Sequence, residues 1–157
     1  MTNAGKNIEI ERKFLVKDTS YKTLAVKHYD IIQGYISKGN GRTVRVRIRD
    51  NRAFLTIKGR IDPNAALAHF EWEQEINIDD ARQLLNLALP GLIEKTRWIV
   101  PATYGTNLVW EIDEFHGRLE GRTLAEIELP NETQQFAIPD FIGEEVTGQP
   151  EYYNSNM

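Results

Sequence analysis

The 157-residue chain contains no cysteine, which excludes disulfides, thiolate chemistry and Cys-based zinc or iron–sulfur sites. Long apolar runs are also missing, and no stretch approaches the length of a membrane-spanning helix. The opening segment, Met1–Asn7, is polar and lacks the apolar centre of a secretion signal. A cytoplasmic location is therefore expected, and the Asn131-Glu132-Thr133 sequon reads as chance. Histidine is scarce: His28, His69 and His116 have no His-x₃-His or His–carboxylate spacing and are read as non-catalytic. An excess of positive charge is absent too. The net charge of −4 argues against a general nucleic-acid binder, and neither nucleic acid nor membrane is expected as a partner. No low-complexity segment, heptad pattern or domain boundary interrupts the chain, so residues 1–157 are expected to form a single domain. With 41% hydrophobic residues, the chain has enough apolar material to bury a core.

What the chain does have is alternation. Ile8-Glu9-Ile10-Glu11-Arg12-Lys13-Phe14-Leu15-Val16 reads as a strand with two chemically different faces, because successive side chains on a strand point to opposite sides. Glu9, Glu11 and Lys13 share one face; Ile8, Ile10, Arg12 and Phe14 share the other. Two carboxylates about 7 Å apart along a strand can converge on one divalent cation. Further strands are expected near 29–37, 42–49, 53–59, 69–77, 92–100, 107–115 and 123–129, with a helix beginning at Asp79 and running to Ala88. Residues 17–28 read as a connection or short helix, 61–68 as a loop, and 131–157 as one or two short helices and an ordered tail. Eight strands are about the number that closes into a small antiparallel barrel.

The parity repeats from strand to strand. Arg45, Arg47 and Arg49 oppose Val44, Val46 and Ile48; Lys58 opposes Leu55 and Ile57. Glu71, Glu73 and Glu75 oppose Phe70, Trp72 and Ile76, while Lys95 and Arg97 oppose Thr96 and Trp98. Glu111 and Asp113 oppose Trp110 and Ile112, and Glu126 and Glu128 oppose Ala125, Ile127 and Leu129. Two features favour the charged face pointing inward. The helix and tail carry apolar residues that need a sheet face to cover, and the charges segregate by strand, whereas solvent faces usually mix signs. A lumen lined by so many ions is costly if dry and unpaired. It becomes reasonable if it holds a ligand: acids for a divalent metal, bases for a polyphosphate bridging that metal to lysine and arginine.

The motifs Glu9-Ile10-Glu11-Arg12-Lys13, Gln33-Gly34-Tyr35, Val44-Arg45-Val46-Arg47, Thr56-Ile57-Lys58-Gly59, Glu73-Gln74-Glu75, Glu94-Lys95-Thr96-Arg97, Glu111-Ile112-Asp113, Ala125-Glu126-Ile127-Glu128-Leu129 and Gly143-Glu144-Glu145-Val146-Thr147 occur in this order. Together they resemble the triphosphate tunnel metalloenzymes, the CYTH family, over nearly the whole chain. The resemblance implies a mainly β fold, a closed eight-stranded antiparallel tunnel with a few short helices outside, and Mg²⁺- or Mn²⁺-dependent hydrolysis of a triphosphate chain. Inorganic tripolyphosphate is the favoured substrate; nucleoside or thiamine triphosphate, ATP cyclisation as in class IV adenylate cyclases, and a non-catalytic polyphosphate-binding module are the alternatives. Metal binding is assigned to Glu9, Glu11, Glu126 and Glu128, with Asp113 as a further candidate. Glu73, Glu75 and Glu111 are assigned to positioning the attacking water, and Lys95 is counted with them as catalytic. Lys13, Arg45, Arg47, Lys58, Lys95 and Arg97 are assigned to the phosphates. Glu71 and Glu114 are expected at the surface or rim, Arg49 in solvent, and Trp72, Trp98 and Trp110 in packing outside the barrel. The stretch beyond Thr147 is short, so a C-terminal plug helix is expected to be reduced or absent. The protein is expected to be a monomer or homodimer.

Overall fold

The computed structural model of the chain describes residues 7–61, 68–102 and 107–157. The alternating stretches form strands β1 (Ile8–Val16), β2 (Lys27–Gly39), β3 (Arg42–Arg49), β4 (Arg52–Arg60), β5 (Ala68–Ile76), β6 (Ile93–Pro101), β7 (Val109–Phe115), β8 (Thr123–Glu128) and β9 (Ile142–Glu145). The helices are α1 (Tyr21–Leu24) and α2 (Ile78–Asn86). The strands lie in the order β5-β4-β3-β2-β6-β7-β8-β1-β9, and a further β5–β1 pairing closes the first eight into a barrel. Every pairing is antiparallel.

Closure depends on a division of labour along one edge of β1. Its first residues pair with β5 through Ile8↔Phe70, Glu9↔His69 and Ile10↔Ala68. Its last residues pair with β9 through Phe14↔Glu145 and Val16↔Ile142. The opposite edge pairs with β8 from Glu11↔Glu128 to Leu15↔Leu124. β9 therefore covers backbone groups of β1 that would otherwise form an exposed edge. This strand lies in the segment expected to hold short helices and a tail. With only four residues, it is too short to show a period, and its identity comes from the partner it meets.

The apolar faces point outward, and two coats cover them. On β1, β6, β7 and β8, Phe14, Val100, Trp110, Ile112, Ala125 and Ile127 are buried beneath Tyr21, Phe141 and Ile142, with Phe136 packed alongside. Trp110 is completely buried, edge-on to Phe14 and Phe136. On β3 and β4, Val46, Ala53, Ile48 and Leu55 are covered by Ala81, Leu84 and Leu85 of α2. That helix starts at Ile78 because the Asn77 side chain accepts from the backbone N–H of Asp79 (2.8 Å) and Asp80 (3.2 Å), as an N-cap does. After its last turn the chain crosses β2 at Gly34, where a Cβ would lie 2.7 Å from a Leu92 methyl and 2.9 Å from Ala88. Glycine is what allows this close approach.

Inward parity is not charged along its whole length. Leu15, Ile93, Phe115 and Leu124 share faces with Lys13, Lys95, Asp113 and Glu126, and they gather with Tyr152 and Met157 into a separate apolar cluster. Two 3₁₀ turns, Pro150–Tyr152 and Asn154–Asn156, form the tail there. The loop expected at 61–68 falls almost entirely outside the described residues.

Candidate functional site

Strand parity brings the acids of β1, β5 and β8 to one wall. Carboxylate oxygens of Glu9, Glu11 and Glu128 lie within 4.8 Å of one another. Lys58 of β4 joins them, ion-paired with Glu9 and 3.4 Å from Glu11 Oε1. Burial pushes Glu11 well above the carboxylate range, and the charge of Glu126 adds to this. Glu128, which keeps contact with solvent, is pushed up to about 8 by partial desolvation and by the charges of Glu9 and Glu111. Glu71 also reaches about 8, through burial and a hydrogen bond to Glu9. Burial works against the Glu9 carboxylate as well, but that hydrogen bond and the Lys58 ammonium outweigh it and hold Glu9 at about 2. Burial likewise opposes the Lys58 cation, and Glu11 and Glu9 overcome it.

Carboxylates this close repel one another unless protons or a cation stand between them. Desolvation is the first cause of the raised values of Glu71 and Glu128, and repulsion from Glu9 adds to it in both. An oxygen-only donor set of this kind fits a hard divalent cation.

A second acidic group is differently placed. Asp113 of β7 accepts from Lys95 Nζ at 2.7 Å and from Arg97 Nε and Nη2 at 2.7 and 2.9 Å. Arg97 also reaches Glu111 at 3.1 Å. The arginine and lysine hold Asp113 below its ordinary range in spite of burial. Asp113 is thus occupied by two cations and does not join the Glu9 group. Glu126 stands between the two clusters, in contact with Glu11 and 3.2 Å from Lys13. Lys13 and Arg97 keep it ionised well below the usual range although burial opposes this.

The remaining bases line β3. Arg47 Nε donates to Gln33 Oε1 at 2.8 Å, and among the described residues no carboxylate lies within ion-pair distance of it. Burial lowers it to about 9, and the neighbouring Arg45 and Arg97 cations contribute. Arg45 donates to Thr56 at 3.3 Å and stands 3.8 Å from Glu73, while its Nε is buried without a hydrogen-bond partner. A half-buried guanidinium with spare donors and no carboxylate partner, as at Arg47, suits an anion.

Several residues lie away from their expected places. Glu75 is gripped by Arg52 at 2.6 and 3.0 Å at the exposed end of β5, not in the interior. Glu73, 42% exposed, accepts from Thr56 at 2.7 Å near the same end. Glu71, expected at the rim, is drawn against Glu9 because β1 pairs with the start of β5. Glu114 does sit at the surface, 2.8 Å from Lys22. Arg49 lies over the rings of Tyr29 and Phe54, 4.7 and 4.9 Å from their centroids. Gln33 and Thr56 had no assigned role; their parity with Arg47-facing and Lys58-facing positions was the available signal. Tyr152 and Asn154 of the tail carried no signal at all, yet Lys13 Nζ donates to Tyr152 O at 2.8 Å and Lys95 Nζ to Asn154 Oδ1 at 2.9 Å.

Comparison with known proteins agrees with this geometry. The CYTH domain matches residues 7–155. An inorganic triphosphatase of Acetivibrio thermocellus is 42% identical over 150 residues, spanning 95% of this chain and 92% of that one. An inorganic triphosphatase of Nitrosomonas europaea is 30% identical over 152 residues, 95% of each chain. Among solved structures, the crystal structure of an inorganic triphosphatase superposes with a TM-score of 0.63 at 28% identity, covering 94% of this chain and 92% of that one. A conserved hypothetical protein from Pyrococcus furiosus shares the fold with a TM-score of 0.61 at 20% identity over 80% of each chain. A match over nearly the full length, together with a closed barrel whose charged faces line its interior, shows that the chain belongs to the CYTH domain family.

Proposed function

We propose that this chain is one triphosphate tunnel domain that hydrolyses inorganic triphosphate to diphosphate and phosphate. The observation that carries the reading is the opposition of two unsatisfied walls. Glu9, Glu11 and Glu128 crowd together on one side; on the other, Arg47 has no carboxylate within ion-pair distance among the described residues, and Arg45 keeps a buried Nε without a hydrogen-bond partner. A phosphate chain with a divalent cation satisfies both at once. Relatives named inorganic triphosphatase support the choice of substrate.

Glu9, Glu11 and Glu128 hold the cation, Mg²⁺ or Mn²⁺, with Glu126 beside them. When bound, that ion neutralises charge on the phosphoryl oxygens. Arg45, Arg47, Lys58 and Arg97 bind the chain, and Lys13 and Lys95 meet it at its inner end. Phosphoryl transfer asks mainly for positioning and charge neutralisation. Glu111, which shares Arg97 with Asp113, is placed to orient the attacking water, with Glu73 further out. Glu75, already bidentate to Arg52, serves the entrance and not the chemistry. Asp113 fixes Lys95 and Arg97 as an anchor.

Phosphate release from tripolyphosphate, with Mg²⁺ or Mn²⁺ and again in EDTA, tests the reading. Turnover that vanishes in EDTA and returns with metal is expected. Full activity after exhaustive metal removal, or binding of tripolyphosphate without turnover, would overturn it. A panel of nucleoside and thiamine triphosphates under the same metal ranks the substrates.

A further inference from the structure

Two of the arginines assigned to the phosphates have an aromatic neighbour directly across a strand ladder. Tyr29 of β2 stands opposite Arg97 of β6, and Phe54 of β4 stands opposite Arg47 of β3. Side chains paired in this way share a face of the sheet, so both rings belong to the inward face. Neither ring joins the apolar clusters that cover the barrel, and both are half-buried. They stand near the mouth: Glu75, opposite Phe54 on β5, is exposed.

Arg49 lies between them. It sits on β3, the strand flanked by β2 and β4, on the same face as Arg47 and closer to the mouth. Its guanidinium carbon is 4.7 Å from the Tyr29 ring centroid and 4.9 Å from that of Phe54. Each ring meets a second cation as well, Lys27 at 5.4 Å from Tyr29 and Arg52 at 5.4 Å from Phe54. A cation at such distances is attracted by the ring's quadrupole. Arg52 is further anchored by Glu75, whereas Arg49 alone bridges the two rings. A bare phosphate chain asks nothing of an aromatic face. A nucleotide does, because a base beyond the outer phosphate gains affinity by stacking on a ring. At this mouth the base meets rings already covered, and stacking returns about what the displaced cation–π contacts lose.

We propose that Arg49 is a specificity-determining residue: by covering Tyr29 and Phe54 together it denies nucleobases a stacking platform at the tunnel mouth and so favours inorganic triphosphate over nucleoside triphosphates. The proposal rests on the triphosphatase reading above. Arg49 takes no part in the phosphoryl transfer itself; its removal widens the range of substrates and does not stop turnover.

The test measures kcat and KM of the full chain with Mg²⁺ on tripolyphosphate, ATP, GTP and ribose 5-triphosphate, which carries the same ester link without a base. The wild type is expected to prefer tripolyphosphate. Arg49→Ala, folded by circular dichroism, is expected to lower the KM for ATP and GTP at least about tenfold, the scale of one base stacked on one ring, and to leave ribose 5-triphosphate unchanged. Arg49→Gln replaces it if the alanine variant does not fold. Adding Tyr29→Leu and Phe54→Leu to Arg49→Ala should abolish the gain. An unchanged KM for ATP in the folded Arg49 variant would overturn the proposal. So would a gain shared by ribose 5-triphosphate, a gain that survives the loss of both rings, or a wild type that already turns over ATP as well as tripolyphosphate. Failure of the wild type on tripolyphosphate would instead overturn the triphosphatase reading. Calorimetric binding of ATP against ribose 5-triphosphate then decides on Arg49 separately: tightening of ATP alone by at least about tenfold in the variant supports its role, and equal affinities in variant and wild type refute it.

Discussion

Asp113 and Glu128 sit on adjacent strands of one tunnel wall, yet their carboxylates meet opposite surroundings. Asp113 receives three short hydrogen bonds from Lys95 and Arg97 and stays ionised despite burial. Glu128 meets Glu9 and Glu11 and is pushed up to about 8. The first cluster is complete within the protein, so it serves to position its two cations. The second gathers three carboxylates around the one lysine, Lys58, which leaves excess negative charge of the kind the proposed cation would offset. Arg47 is the cationic counterpart of Glu128: half-buried, hydrogen-bonded to Gln33, and without a carboxylate partner among the described residues.

The sharpest way to break this contrast is Asp113→Ala. It leaves Lys95 and Arg97 buried without their partner and should cost about 3–5 kcal/mol. A urea melt measures this, and a loss under about 1 kcal/mol would mean that the cluster is not what holds the wall together. Next in size is the response to metal. Mg²⁺ at about a hundred times its Kd should stabilise the wild type by about 2.7 kcal/mol. Glu128→Gln should lose most of that gain while the metal-free protein keeps its stability, because a repelling charge has gone. Equal Mg²⁺-induced shifts in the two melting temperatures would refute the assignment of Glu128.

Arg47→Ala comes third. One lost charge-assisted contact is worth about 1.5–3 kcal/mol, so kcat/KM should fall at least about tenfold. Stability should hold or rise, since Arg45 and Arg97 lose a like-charged neighbour. Unchanged turnover of tripolyphosphate would remove Arg47 from the site. The smallest effect is expected outside the barrel, where Arg12 grips Glu145 of β9 at 2.6 and 2.8 Å. This hydrogen bond lowers the Glu145 carboxyl in the folded state, so its contribution is present above the ordinary carboxylate range and fades as pH falls through the lowered value. Glu145→Gln should therefore cost about 0–1 kcal/mol at neutral pH. The difference from wild type should close in acid, and a gap that widens as pH falls would contradict that sign.

Much of the barrel was legible because a strand shows its two faces every second residue. Alternation from Arg42 to Arg49 and from Glu9 to Lys13 revealed both the strands and which side chains share a wall. β9 was not legible, since a four-residue strand is defined by Phe14 and Val16 across from it. Glu71, Glu73 and Glu75 share one parity but have three fates. Glu71 meets Glu9, Glu73 binds Thr56 at the wall, and Glu75 pairs with Arg52 in solvent. Parity tells which face a residue occupies; depth along the barrel comes from register and tilt, which arise between strands.

Local sequence by itself thus determined the eight barrel strands, the inward charged face and the outward coat of Phe14, Trp110 and Val46, because those follow from neighbours along the chain. Only the tertiary structure decided that Asp113 is spent on Lys95 and Arg97 while Glu9, Glu11 and Glu128 converge. It alone decided that the tail touches Lys13 and Lys95, 139 and 59 positions away from its contact residues. Which charge ends up paired is a matter of distances between separate strands, and those are set when the barrel closes.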